Sequence, residues 1–234
     1  MKHVKKRGCP HSYSRWCKAV QGSDKEEFAE IPFAEKRILL DALLKEQGAI
    51  CAYTMKRISV KNAHVEHIKP QSAFPDPKNG AALRFDNLVA CFPREGMKAN
   101  YRYGAQQKAD WWEEDGRAFV SPLDPSCEKR FLYLNDGDVT HIGAAAQNTI
   151  IVLGLAHPSL CEDRRRVLNE FIFGPSGQEP LPAAKAKQAI GAICQPNTNG
   201  HFFEFCLAIR DALIAHLKLL DKLAKKRKAI RRQN

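Results

Sequence analysis

The segment at residues 64–68, His-Val-Glu-His-Ile, limits the fold more than any other part of the sequence. Its polar and apolar side chains alternate at first, as they do in a β-strand with one buried face. Pro70 ends the strand, because proline lacks the N–H that a strand ladder needs. A loop rich in Pro, Asp, Asn and Gly fills residues 71–86, and the mostly apolar residues 87–91 follow it. The pattern therefore predicts two short strands joined by a long loop.

Helical signals lie on both sides of these strands. Pro32 stands where a helix can begin, and Gly48 where it can end. The other predicted elements are a hairpin at 49–60, a helix from about 97 to Trp112, a hairpin at 131–141 around Asn135-Asp136-Gly137, a helix at 163–173 after capping-box spacing at Ser159 and Glu162, and a last helix from about His201 to beyond Leu223. The mixture predicts an α+β fold.

Composition excludes several classes of protein. The chain has 234 residues, of which 44% are hydrophobic, so it can bury a core without disulfide staples and is not disordered as a whole. A mean hydropathy of −0.42 and the lack of a long apolar run argue against a membrane protein. We recognise no signal peptide and expect a cytoplasmic location. The eight cysteines form no Cys-x-x-Cys pair, so we expect mostly buried thiols rather than disulfides.

The net charge of +11 is concentrated at the two ends of the chain. Residues 1–23 carry six basic side chains and no acid, and residues 218–234 carry eight basic side chains and one acid. The body between them is therefore close to neutral. A basic end can bind nucleic acid phosphates, although a charge run is more often only a solvated terminus.

The adjacent pair Glu66-His67 carries the strongest chemical signal. On a strand these two side chains point to opposite faces, so one metal ion cannot easily take both. The carboxylate could hold a hard divalent cation, while the imidazole acts as general base on a water molecule. A lone Glu-His dipeptide is usually incidental. The interpretation gains weight from the residues that follow in order, which are Asn87-Leu88, Cys91, Glu95 and Lys98.

This order resembles the HNH nuclease motif, in which two strands and a helix (a ββα unit) bind one divalent metal ion. The resemblance implies an α+β protein with a ββα-metal (HNH) core and N- and C-terminal helical additions. It implies His67 as general base, Asn87 as the residue that braces the loop, and Glu66 and Glu95 as ligands of Mg²⁺ or Mn²⁺. Glu95 stands where the family usually has Asn or His, so Asn100 is a rival ligand. His64, on the same strand face as Glu66, is a further candidate for the metal site.

Many relatives with this motif carry two Cys-x-x-Cys knuckles that bind a structural zinc ion. Only Cys51 and Cys91 stand at the corresponding positions, with Thr54 and Arg94 in place of the partner cysteines. Two thiolates alone make a poor zinc site. We therefore expect the structural zinc to be absent and packing to replace it.

Other segments are similar to the PtuB-type HNH proteins of Septu and retron-associated anti-phage systems. They are the basic start of the chain, residues 51–55, residues 121–131, and His157-Pro158-Ser159-Leu160 before Arg164-Arg165-Arg166. The resemblance implies a PtuA-type ATPase as partner, a nucleic acid substrate and, in retron systems, a reverse transcriptase with its small nucleic acid product. The alternatives are a nucleic-acid-binding or scaffold subunit that is no longer catalytic, and a tRNA-cleaving toxin.

The sequence thus divides into three regions. Residues 1–48 form a basic N-terminal arm and helix, residues 49–112 the HNH core, and residues 113–234 a hairpin and helical region with a basic tail. The residues expected to hold the nucleic acid are Lys98, Lys5, Lys6, Arg7, Lys225, Lys226, Arg227 and Lys228.

Overall fold

The strands form two small antiparallel sheets in the computed structural model, which describes residues 1–75, 80–94, 96–97, 100–174, 177 and 179–231. The first sheet pairs β1 (His64–His67) with β2 (Leu88–Cys91), and the second pairs β3 (Phe131–Tyr133) with β4 (Val139–His141). Both pairs lie where the alternation and the Asn-Asp-Gly turn predict them. The fold is α+β, as expected.

Helices surround these two sheets. They are α1 (His11–Val20), α2 (Phe33–Glu46), α3 (Ala105–Lys108), α4 (Ala144–Val152), α5 (Pro158–Phe173), α6 (Ala183–Ala192) and α7 (Cys206–Arg231). Helix α2 packs against β1 and β2, while α7 packs against α5, α6 and β3. None of the helices in the described part of the chain is both long and apolar enough to cross a bilayer.

A single hydrophobic cluster joins the three regions expected from the sequence, since it contains Met1, Leu88 and Leu213. The buried Gln47 side chain fixes the end of α2 to β2. Its amide oxygen accepts from the Ala90 N–H at 2.6 Å, and its amide nitrogen donates to the Ala90 carbonyl at 2.8 Å. Helix α2 and the first sheet therefore behave as one packed unit.

The first residues of the chain also belong to this packed body. Met1 and Val4 are buried, and the Val4 N–H donates to the Pro122 carbonyl at 2.8 Å. The Lys2 ammonium lies 2.6 Å from the Glu128 carboxylate. Burial would raise the pKa of Glu128, but the hydrogen bond and charge of Lys2 outweigh it and hold that pKa below its ordinary value.

Four expected elements differ from the structure. The helix expected at 163–173 after a capping box at Ser159 and Glu162 is α5, which begins at Pro158 and has His157 as its N-cap. The hairpin at 49–60 is reduced to one bridge between Ile50 and Arg57, because the chain turns sharply at residues 52–54. The helix expected to reach Trp112 is only the four-residue α3, since Gly104 and Ala109 take φ values of 71° and 45° that break a helix at either end. The last helix begins at Cys206 rather than near His201.

Candidate active site

Two hydrogen bonds between the Asn87 side chain and the Lys69 backbone, which we call the bracket, hold the chain just after the end of β1. In the first sheet, His67 pairs with Leu88 and Glu66 with Val89. Asn87 stands just before β2 and grips the backbone of Lys69. Its amide oxygen accepts from the Lys69 N–H and its amide nitrogen donates to the Lys69 carbonyl, both at 2.9 Å. The loop that follows His67 is therefore fixed in place by Asn87.

His67 lies in a buried and oriented position, with 8% of its surface exposed. Its Nε2 is 2.9 Å from the Ala82 carbonyl oxygen. A carbonyl only accepts, so Nε2 carries the proton and Nδ1 keeps its lone pair. The Phe28 ring meets the imidazole edge-on, with 4.5 Å between centroids. Burial lowers the pKa of His67, although the Ala82 carbonyl and the charge of Glu66 act in the opposite direction. The imidazole is therefore neutral at neutral pH.

Glu66 and His64 share the opposite face of β1. Glu66 Oε2 lies 3.5 Å from His64 Nε2, as the two-residue period of a strand predicts. The buried Tyr53 phenol is close enough to sense this carboxylate. Burial raises the pKa of Tyr53, and the charge of Glu66 raises it further. Glu66 and His67 thus sit on two faces of one strand, in the division that their spacing predicts.

Lys108, on α3, is a site residue that the sequence did not reveal. Only 1% of its surface is exposed, yet it carries a charge. Its ammonium donates to Glu66 Oε1 at 3.2 Å and to the His67 carbonyl at 3.1 Å. No spacing rule connects it to Glu66, because 42 residues separate the two along the chain. Lys108 therefore balances the charge of Glu66 inside the structure.

The metal-ligand set is incomplete among the residues that the structure describes. Glu95 and Lys98 lie outside them, and Asn100 is exposed in the segment before α3. Within the described ranges, no group of three His, Cys, Asp or Glu side chains could hold a metal ion. Glu66 and His64 offer two suitable donors, an oxygen and a nitrogen. A divalent ion at this carboxylate would need at least one ligand from elsewhere.

Cys51 and Cys91 meet in the core, as the knuckle positions suggest. Both thiols are buried, and the Phe92 N–H donates to Cys51 Sγ at 3.4 Å. Burial would raise the pKa of Cys51, but hydrogen bonds from Cys91 and Thr54 outweigh it and lower that pKa to about 6. The pair is packed and hydrogen-bonded within the protein.

The basic residues expected to bind nucleic acid fall into two groups. Lys5, Arg7 and the cluster at 225–228 are exposed. Lys6 is directed inward, where its ammonium lies 2.5 Å from Glu46 and donates to the Leu88 carbonyl at 2.9 Å. The Lys6 ammonium therefore connects α2 to the first sheet, through Glu46 and the Leu88 carbonyl.

Comparison with known proteins identifies a relative of this chain and, through it, a family. No protein-family model matches the chain. A relative from Vibrio cholerae serotype O1 biovar El Tor, named "Retron Vc95 putative HNH endonuclease", is 30% identical over 145 residues. The alignment covers 59% of this chain and 67% of the relative. The chain therefore belongs to the HNH endonuclease family that this retron relative represents.

Proposed function

We propose that the protein is a metal-dependent endonuclease that hydrolyses phosphodiester bonds in nucleic acid. The observation that carries the proposal is the state of His67 at the end of β1. Its Nε2–H is engaged by the Ala82 carbonyl, so Nδ1 is the basic nitrogen. A neutral imidazole held in one orientation, with Nδ1 as its basic nitrogen, is what general-base catalysis needs.

In the proposed reaction, His67 takes a proton from the attacking water at Nδ1. The Ala82 carbonyl holds the ring in one orientation and stabilises the positive charge that the imidazole gains. Asn87 acts on the reaction indirectly, because it fixes the loop two residues after the base. The attacking oxygen and the scissile phosphate must both reach this end of β1.

Glu66 and Glu95 would hold the divalent ion, Mg²⁺ or Mn²⁺, with His64 or Asn100 in support. When bound, the ion would supply electrostatic stabilisation of the charge that develops on the phosphate and the leaving oxygen. Lys98, Lys5, Arg7 and the cluster at 225–228 would hold the polyanion. A structural zinc ion has no part in the proposal.

The wider role follows from the resemblance and from the name of the relative, which refers to a retron. We infer that the protein is the effector subunit of a PtuB-type anti-phage complex, of the Septu kind or associated with a retron. Its partners would be a PtuA-type ATPase and, in a retron system, a reverse transcriptase with its small nucleic acid product.

One observation favours a second candidate, a nucleic-acid-binding or scaffold subunit without catalysis. The Lys108 ammonium already neutralises Glu66, and the described residues offer no complete metal-binding group. A tRNA-cleaving toxin would use the same chemistry as the endonuclease and would differ only in its substrate.

A cleavage assay separates these candidates. The purified protein, alone and with its ATPase partner, is incubated with DNA, RNA and tRNA in Mg²⁺ or in EDTA. We expect cleavage only with the metal ion, and a loss of about 10²–10⁴ in rate for His67→Ala, because the general base is removed. His141→Ala, at an exposed histidine on β4, is the matched control and should cleave normally.

Two results would contradict the proposal. Near-normal cleavage by a folded His67→Ala variant would remove His67 from the mechanism. Tight binding of nucleic acid without cleavage under every condition would favour the scaffold subunit. Thermal unfolding followed by circular dichroism shows whether each variant is folded.

A further inference from the structure

A cleft of about 420 Å³ opens beside β1, and the proposed mechanism leaves it without a role. One wall is a single face of α2, on which residues 33, 36, 37 and 40 follow helical spacing. The other wall is β1 itself. The side chains that matter for its chemistry are Phe28, Phe33, Lys36, Arg37, His64 and Arg94.

The cleft borders the candidate active site through two of its lining residues. Phe28 lines it and also meets the His67 imidazole edge-on at 4.5 Å. His64 lines it as well, and its Nε2 lies 3.5 Å from Glu66. A ligand in the cleft would therefore lie one side chain away from His67 and from Glu66.

Phe33 gives the cleft an aromatic rim. It is the first residue of α2, and 83% of its surface is exposed. The ring therefore faces solvent rather than the core, which α2 meets through Leu39, Leu43 and Leu44. Isolated exposed apolar residues are common, but this ring stands at the mouth of a cleft with cations on the same helix face. An exposed ring beside cations is the arrangement on which unpaired bases stack.

The charge of the cleft is positive. Lys36, Arg37 and Arg94 line it, and none of the described residues that line it is acidic. Arg37 forms an ion pair with Asp41 at 3.4 Å, but both side chains are about half exposed, so a phosphate can displace Asp41 at little cost. Lys36 sits 5.5 Å above the Phe28 ring. The cleft thus combines an apolar floor with groups that attract a phosphate chain.

We propose that this cleft binds an unpaired nucleotide next to the bond that is cut, with the base on Phe33 and its phosphates at Arg37 and Arg94. Bases inside a duplex have no free face for Phe33, since each is stacked and paired. The substrate is therefore single-stranded or unpaired at the cleavage position. The choice of substrate rests on the endonuclease function proposed above.

Binding measured without divalent metal tests the cleft separately from catalysis. Labelled single-stranded DNA, single-stranded RNA and a duplex of the same sequence are titrated with protein in EDTA, and fluorescence anisotropy gives each Kd. We expect Phe33→Ala to weaken single-strand binding about 5- to 100-fold and to leave duplex binding unchanged, because one stacked base is lost. Phe33→Trp should keep the affinity. Comparison of the Kd for single-stranded DNA with that for single-stranded RNA shows whether the site prefers deoxyribose or ribose.

Two further variants make the test specific. Phe203→Ala changes another half-exposed ring, one that packs on Phe171 away from the cleft, and should bind normally. Arg94→Gln should lower the slope of log Kd against log salt for single-strand binding by about 0.7. This is the contribution of one phosphate contact.

The proposal is overturned if Phe33→Ala binds single strands normally, or loses single-strand and duplex binding equally. Normal binding of nucleic acid with lost association of the ATPase would make Phe33 a protein contact instead. If the wild-type protein fails to cut nucleic acid while Phe33→Ala loses single-strand binding, the endonuclease proposal is wrong but nucleotide binding in the cleft is supported. If the wild-type protein cuts nucleic acid and Phe33→Ala binds single strands normally, the proposal of nucleotide binding in the cleft is wrong and the endonuclease proposal is unaffected.

Discussion

At the scale of single residues, the pairing of Lys108 with Glu66 is the most consequential contact near the candidate site. The Lys108 side chain is buried, whereas the Glu66 side chain keeps 15% of its surface exposed. A buried charge is tolerated only when a partner and hydrogen bonds compensate its lost hydration. Glu66 Oε1 and the His67 carbonyl provide that compensation at 3.2 and 3.1 Å. The pair therefore ties α3 to the strand that carries the proposed base.

Lys108→Met should lower the free energy of unfolding by about 3 kcal/mol, because it leaves the Glu66 carboxylate without its buried partner. Glu66→Gln in the Lys108→Met background should restore much of that loss, since neither charge then remains. Urea unfolding of both single variants and the double variant measures the coupling. Arg165→Met, which breaks the exposed pair with Glu162, is the control and should cost less than about 1 kcal/mol. Additivity within about 0.5 kcal/mol would contradict a specific Lys108–Glu66 interaction.

This contact also shows what the sequence can predict and what it cannot. The two-residue period of a strand predicts that His64 and Glu66 share a face, and the structure has them 3.5 Å apart. Lys108 follows no such period, because its approach to Glu66 depends on how α3 packs against the first sheet. The carbonyl partner of His67 is equally hidden, since any residue type offers a carbonyl and only the fold selects Ala82.

At the scale of secondary structure, local patterns predict elements better than their ends. The two strands of the first sheet and the hairpin at 131–141 match the structure closely. The helix expected after β2 does not, because Gly104 and Ala109 adopt left-handed φ values on either side of α3. The sequence permits such a φ at glycine but gives no sign of it at an alanine. Tertiary packing decides the length of α3.

The bracket between Asn87 and Lys69 is the element-scale feature with a clear test. Asn87→Ala removes the two hydrogen bonds between the Asn87 side chain and the Lys69 backbone, and should lower the free energy of unfolding by about 1–3 kcal/mol. Because the bracket fixes the loop after His67, the cleavage rate should fall as well. Asn148→Ala removes one hydrogen bond to the Ala118 carbonyl, far along the chain from β1, and should leave cleavage unchanged. Equal cleavage by both variants would limit Asn87 to a purely structural role.

At the scale of the whole molecule, α7 extends beyond the packed body. A helix of 26 residues is about 39 Å long. Its first part is buried against α5, α6 and β3, whereas residues 221–230 are all exposed. Lys225, Lys226, Arg227 and Lys228 lie in this exposed part. The tail can therefore meet a polyanion without any rearrangement of the core.

Replacement of the four tail cations by glutamine should weaken nucleic acid binding in a salt-dependent way. Each phosphate contact contributes about 0.7–0.9 to the slope of log Kd against log salt, so the loss of four contacts lowers that slope by about 3 to 4. The free energy of unfolding should stay within about 0.5 kcal/mol of wild type, because these side chains are exposed and glutamine favours a helix. Anisotropy titrations at several salt concentrations, together with urea unfolding, measure both quantities.

Lys185→Gln with Lys187→Gln is the matched control, since these lysines are also exposed on a helix but belong to α6. If net charge alone governed binding, each lysine lost from α6 would lower the slope as much as each cation lost from α7. A larger effect per residue in α7 identifies the tail as the surface that contacts phosphates. The stacking cleft predicts a different signature, because Phe33→Ala removes no charge and should weaken single-strand binding by a similar factor at every salt concentration. The two surfaces can thus be separated by salt dependence, and a tail variant that keeps the wild-type slope would remove α7 from nucleic acid recognition.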